Sequence, residues 1–176
     1  MNAVGIIIVK GNSNRFPGKN IYPVQGKPMF FHNVELLINC VDIDDVYVCT
    51  DSHYIREYCL TEGVKIIWRG ENVREDEEPY LSVLKYAYQC IDKQYNHIAT
   101  ILPNTVGHTQ KNVDNAVKFI KEKDLHEVRS CDSSGIENGI LIFKESVILQ
   151  APAISSYMGI VYSGGKEIHY KEELSE

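Results

Sequence analysis

The sequence has no pair of cysteines at CxxC spacing and no HxH or HExxH pattern among its six histidines. These absences exclude the common structural and catalytic zinc sites. The five cysteines (Cys40, Cys49, Cys59, Cys90 and Cys131) are an odd number scattered through apolar segments. Such usage argues against a disulfide framework and predicts reduced thiols in a cytoplasmic protein. No apolar run approaches the roughly 20 residues needed to span a membrane. The residues ahead of Lys10 show neither the basic start nor the cleavage pattern of a signal peptide, so no membrane partner is expected. A formal charge of -6 speaks against a general nucleic-acid surface, although a single basic loop can still focus its own field on a small anion.

What is present reads as a globular chain. With 176 residues, 44% of them hydrophobic and 24% charged, the simplest organisation is one compact domain over 1–176. Val4–Val9 is a continuous apolar run, as expected of a strand covered on both faces. Phe30, Val34, Leu37 and Val41 then recur at helical spacing within Met29–Val41. Further strands are predicted at Asp45–Thr50, Val64–Trp68, His97–Leu102, Gly139–Phe143, Gly159–Tyr162 and Glu167–Tyr170. Helices are predicted at His53–Glu62, from Pro79 to about Lys93, and at Gln110–Lys123. The tail KEELSE is expected to fray. Strand and helix alternate, which predicts an α/β sheet layered with helices. Chemistry should then sit beyond the carboxyl ends of the strands, in Lys10–Pro28, Thr50–His53, Arg69–Glu78 and Pro103–Thr109.

The first of these loops contains GNSNRFPGKNIYPVQGKP, whose three glycines and three prolines cannot be core. It lacks the GxxxxGK[ST] of a P-loop, and Pro17 and Pro23 forbid the helix that a dinucleotide fingerprint opens. It does offer Lys10, Arg15 and Lys19 as cations, with donors at Gly11, Ser13, Asn14 and Gly18. A polyphosphate needs that combination. By composition alone the loop reads equally as a phosphate cradle or as a solvated turn. Asp51 is likewise open between a ligand contact and an N-cap for the helix that follows. His32 reads as helix surface, and His108 lies in a loop.

The register of PGKN against GKP resembles the N-terminal signature of the acylneuraminate and Kdo cytidylyltransferases, the CMP-sialic acid synthetase-like family. Its usual form is ARGGSKRIPGKNI followed by GKPL. Gly11, Ser13, Arg15, Pro17, Gly18, Lys19, Asn20, Ile21, Gly26, Lys27 and Pro28 fit at matching spacing. VYVCTDSHYIREYCLTEGVKIIWR is similar to the family's second strand, STD turn, helix and third strand. ATILPNTVGHTQKNVDNAV is similar to its LQPTSPLR segment, ENGILIFKESVI to its NGAIYIF strand, and EIHYKEEL to its closing DIDTEEDL motif.

The resemblance implies a three-layer α/β/α, Rossmann-like fold of the nucleotide-diphospho-sugar transferase type, with a mixed, mostly parallel sheet. It implies an enzyme that transfers CMP from CTP to a small acidic sugar with release of pyrophosphate, using Mg2+, in nucleotide-sugar metabolism such as sialic acid, lipopolysaccharide or capsule synthesis. Lys10, Arg15 and Lys19 would be catalytic. Gly11, Asn12, Ser13, Asn14, Asn20, Asp51 and Arg69 would bind the nucleotide, and Leu102, Asn104 and Thr105 the acceptor. Asp51, Glu167 and His169 would fall at the metal.

Four departures stand beside the matches. His169 replaces the family's metal aspartate, Asn14 a motif lysine, and Leu102 the motif glutamine. Only Asp124–Glu137 occupies the place of the family's dimerisation insertion. They leave a second reading open, a homologue that binds nucleotide or serves as a partner subunit without turnover. They also imply a monomer, or a dimer through an interface other than the family's.

Overall fold

The computed structural model describes residues 2–70, 80–150 and 157–174. Their elements run β1 (Ala3–Val9), β2 (Pro23–Val24), β3 (Lys27–Pro28), α1 (Met29–Ile38), β4 (Asp45–Thr50), α2 (His53–Thr61) and β5 (Lys65–Trp68). These are followed by α3 (Tyr80–Gln89), β6 (His97–Ile101), β7 (Thr105–Val106), α4 (Gln110–Glu122), β8 (Glu127–Cys131) and β9 (Glu137–Lys144). The last are α5 (Glu145–Leu149), β10 (Met158–Tyr162) and β11 (Lys166–Glu167). Seven strands form one sheet in the order β10-β8-β9-β6-β1-β4-β5, and two short ladders, β7 with β11 and β2 with β3, lie outside it. Strand β9 pairs antiparallel with both β6 and β8, whereas the other sheet neighbours pair parallel. The sheet is therefore mixed and mostly parallel, as expected.

Alternation along β1 builds the two cores. Ala3, Ile7 and Val9 enter the cluster with α1, α2 and α4, while Val4, Ile6 and Ile8 enter the opposite cluster with α3 and α5. Every residue of β1 is buried, which explains its unbroken apolar run. Each isoleucine enclosed this way stabilises the fold by about 2 kcal/mol. Gly5 faces α1, and a Cβ there would come within 3.1–3.2 Å of Leu37 and Val46, so the helix can sit close on the strand.

The structure corrects several sequence expectations. Helix α1 stops at Ile38 rather than reaching Val41, which is 95% exposed and outside the stripe. Helix α3 ends at Gln89, short of Lys93, and Pro79 lies outside the described residues. Strand β8 and helix α5 were not expected at all. EVRSC conceals a strand because Glu127, though buried, is neutralised by Arg129 two residues on, on the same side of the strand. The expected last strand Glu167–Tyr170 gives way to a shorter one at Lys166–Glu167, and Lys171–Leu174 of the tail is a 3-10 turn, residues 175–176 lying outside the described residues. Its Leu174 packs on a small cluster of Phe16, Met29 and Ile168. Between α4 and β9 the chain forms only β8 and a tight turn, with no projecting subdomain.

Candidate active site

Parallel register brings the starts of three expected loops to one edge of the sheet, although residues 71–78 of the Arg69–Glu78 loop lie outside the described residues. Val9 pairs with Thr50, and Thr50 pairs with Trp68. The residues that follow these three (Lys10 and Gly11, Asp51, and Arg69) therefore emerge side by side. Asp51 Oδ1 accepts the Gly11 amide at 2.8 Å, and its Oδ2 faces the Arg69 guanidinium at 3.2 Å. Arg69 is fully buried. Asp51 is not the helix cap: the Ser52 hydroxyl takes that role, accepting from Ile55 N–H at 3.4 Å. Asp51 is thereby left to fasten the first loop. Gly11 is required at this point, since a Cβ would lie 2.7 Å from Ser52 Cβ.

The loop is folded rather than loose. Asn20 is buried and its Nδ2 donates to the Lys10 carbonyl at 3.0 Å, closing the loop at its base. Its Oδ1 meets no donor among the described residues. Gly18 adopts a left-handed φ of 71°, and the Lys19 and Ile21 amides close short turns behind it. Phe16 turns inward against Met29 and Ile168. Asn12, Asn14 and Arg15 face solvent, with Lys10, Gly11, Ser13 and Lys19 half-buried. The apolar residue in the middle of a polar stretch anchors it, and the polar residues around it form its outer surface.

Beyond β6, the residues that the resemblance places at the acceptor meet the C-terminal segment. The Leu102 carbonyl accepts from the Thr105 amide, the Thr105 hydroxyl and Asn33 Nδ2. Thr105 is fully buried, so its hydroxyl is held inside the protein. Asn104 binds Ile168 twice, through its carbonyl at 2.7 Å and its Nδ2 at 3.0 Å. With the β7–β11 ladder, these bonds carry Glu167–His169 against the first loop, where Ile168 touches Phe16. Next to them a groove of about 1080 Å³ opens beyond the carboxyl ends of β8 and β10, its walls including Asp132, Glu137, Asn138, Ser163, Glu167 and His169.

A polar network supports that groove. His108 Nε2 lies 2.8 Å from the Asn138 carbonyl and Nδ1 lies 2.6 Å from Ser163 Oγ. A carbonyl only accepts, so Nε2 carries the proton and Nδ1 accepts the serine hydroxyl. Burial holds the His108 pKa down, opposed by the bond to Asn138. Asn138 Nδ2 donates to the Ser163 and Gly165 carbonyls, and its Oδ1 accepts from Ser130. Sequence reasoning did not single out Asn33, Asn138 or Ser163. Asn33 left one signal, a polar residue inside the Phe30–Val34–Leu37 stripe.

The expected metal ligands are not assembled. Among the described residues, no three His, Cys, Asp or Glu side chains are placed to hold an ion together. Both Asp51 oxygens are engaged, and His169 lies 3.2 Å from Glu167. Glu173 accepts the Tyr170 and His169 amides, which hold its carboxyl below the usual range. Neutral imidazole is also a poor partner for hard magnesium, which prefers oxygen in octahedral array. Among the described residues, Asp51, Glu167 and His169 therefore form no dedicated three-ligand cage for Mg2+.

The chain belongs to the cytidylyltransferase family, whose model matches residues 4–158. It is 33% identical over 87 residues to the N-acylneuraminate cytidylyltransferase of Streptococcus agalactiae serotype V, a match covering 48% of this chain and 21% of that protein. It is 30% identical over 105 residues to the pseudaminic acid cytidylyltransferase of Campylobacter jejuni, covering 57% and 45% respectively. These matches span less than half of the relatives' own length. Among solved structures, a CMP:2-keto-3-deoxy-manno-octonic acid synthetase complexed with CTP superposes with a TM-score of 0.82 at 13% identity, over 99% of this chain and 96% of that one. A putative glucose-1-phosphate thymidylyltransferase from Bacillus anthracis superposes at 0.76 and 14% identity, over 98% and 92%. At such identities the likeness establishes the nucleotide-diphospho-sugar transferase fold. Among the described residues no helix is long and apolar enough to cross a membrane.

Proposed function

We propose that this protein transfers CMP from CTP to a hydroxyl of a small acidic sugar. The acceptor oxygen bonds to the α-phosphorus, the bond to the β-phosphate bridge breaks, pyrophosphate leaves and the hydroxyl proton passes to solvent. The observation that carries this reading is the Lys10–Asn20 loop, fastened at Gly11 by Asp51 and at its base by Asn20, with Phe16 inward and its polar residues outward. In this role Lys10, Arg15 and Lys19 offset the charge that grows on the phosphates. Gly11, Asn12, Ser13 and Asn14 supply donors, and Asn20 lies at the nucleoside. Arg69 and Asp51 hold the loop in register. Leu102, Asn104 and Thr105 shape the acceptor side by fixing the C-terminal segment beside the groove. The relatives' names supply the acid class of the acceptor.

The donor set at Glu167–His169 favours a second reading, in which CTP binds but is not turned over. Pyrophosphate release from CTP across a panel of sugar acids, paired with calorimetric titration of CTP with and without magnesium, decides between them. The expected result is release that falls at least about 100-fold in Lys19→Ala. CTP binding without release from any acceptor overturns transfer and leaves the second reading. Failure of CTP to bind overturns both.

A further inference from the structure

We propose that His108 is a positioning residue for the acceptor: from behind the groove wall it fixes segment 163–165, against which the sugar is held. This role rests on the transfer reading above, with the groove as the acceptor's seat. Asn138, Ser163, Gly164 and Gly165 line the groove, and His108 does not. Its ring borders a second cavity of about 660 Å³, whose walls include His32, Asn33 and Gly107. The imidazole is therefore the partition between the two spaces, and it acts on a sugar only through the wall it supports.

The contacts are close and specific. The Nε2–H donates to the Asn138 carbonyl at 2.8 Å, near the start of β9. Nδ1 accepts the Ser163 hydroxyl at 2.6 Å, just beyond β10. One neutral ring, with one donor and one acceptor, thus bridges two segments of the wall. The ring also packs on Gly165, where a Cβ would lie 2.0 Å from its Cε1 and 2.3 Å from its Nδ1. Next to it, Gly107 at a φ of 85° brings the two backbones together, since a Cβ there would lie 3.1 Å from the Gly164 carbonyl oxygen. The pairing of Val106 with Lys166 continues this contact into β7 and β11.

Asn138 tethers the same segment from the groove side, donating to the Ser163 and Gly165 carbonyls at 2.8 and 3.0 Å. Without the imidazole those tethers remain, but the segment has open space behind it in place of a ring. The wall then loses its fixed position while the sheet below keeps its packing. The Lys10–Asn20 loop is held separately, by Asp51 and Asn20. A fault confined to the wall therefore weakens the hold on the sugar in ground and transition state alike, which appears in KM and not in kcat.

Steady-state pyrophosphate release tests this, varying the sugar acid that gives most release with the parent, beside calorimetric titration of CTP. His108→Ala should raise the acceptor KM about tenfold, with kcat and CTP affinity within about twofold of the parent. His108→Gln, whose amide can donate to Asn138 and accept from Ser163, should recover most of that loss. Gly165→Ala puts a methyl where the ring stands and should raise KM as well. With His108→Ala beside it the methyl meets no ring, so the double variant should be no worse than His108→Ala alone. Circular dichroism verifies folding, and His108→Leu, which fills the partition without hydrogen bonds, takes the place of His108→Ala should that variant not fold. An unchanged acceptor KM in a folded variant overturns the positioning role and leaves transfer standing. So does a parallel loss of kcat, acceptor binding and CTP affinity, which marks a general structural defect. No release from the parent with any acceptor overturns transfer and the positioning role together.

Discussion

Asp51 joins Gly11 to Arg69: one carboxylate oxygen takes the Gly11 amide at 2.8 Å and the other meets the fully buried guanidinium at 3.2 Å. Removing the carboxylate takes one partner from the buried Arg69 guanidinium and leaves the Gly11 amide short of its acceptor. Asp51→Ala should therefore lower stability by about 2–3 kcal/mol. Asp51→Asn, which retains an acceptor for Gly11, should lose about half of that. Urea midpoints measure both. An unchanged midpoint in Asp51→Ala would show that the loop does not hang on this residue.

Gly11 tests the same joint from the other side. A methyl at this position lies 2.7 Å from Ser52 Cβ, and neither backbone has room to ignore it. The loop must shift away from Asp51. Gly11→Ala should therefore weaken CTP binding by about tenfold or more, equivalent to about 1.4 kcal/mol, with a smaller loss of global stability because the sheet below is undisturbed. Calorimetric titration beside urea unfolding separates the two effects. Equal affinity in the variant and the parent would detach the loop from nucleotide binding.

The first half of the fold was legible because its signals are redundant. Val4–Val9 is apolar throughout, and α1 and α2 carry clean stripes. PGKN and GKP sit at a spacing that few other sequences reproduce. The later half was harder to read because its buried groups are polar. Glu127 hides a strand by pairing with Arg129, and Asn138 and Ser163 look like loop residues until β9, β10 and the His108 loop meet around them. Asp51 was ambiguous between cap and contact, and the neighbouring Ser52 hydroxyl, placed at the cap in three dimensions, removes the cap reading. The burial of Arg69 has no sequence signature at all, since it depends on what packs around the end of β5.

His108 makes stability pH-dependent in a defined direction. Burial holds its folded pKa down, against a smaller opposite push from the Asn138 carbonyl. The unfolded ring titrates near about 6.5, so on acidification the unfolded chain takes up the proton first. The contribution is therefore complete above that pH and is lost as pH falls from there through the lower folded value. His97, also held down by burial, acts in the same sense. Urea midpoints at neutral pH and at about pH 5.5 should fall in the parent. They should fall less in His108→Gln, from a lower starting point. An identical slope in the variant would exclude His108 as a source of the effect.

Phe16 and Ile168 link the Lys10–Asn20 loop to the C-terminal segment. Both are buried, and with Met29 they form a cluster separate from the two main cores. Phe16→Ala should cost about 3 kcal/mol and Ile168→Ala about 2 kcal/mol, typical of large-to-small changes in a packed cluster. If the two segments support each other, the second truncation acts on a contact already lost. The double variant should then fall short of the sum by about 1 kcal/mol, a coupling expected of residues in contact. The same cycle read in CTP affinity tests the functional link. Either truncation should loosen the loop and weaken binding, although neither residue offers a polar atom to a nucleotide. Simple additivity in stability, with affinity unchanged, would mean that the C-terminal segment rests on the loop without shaping it.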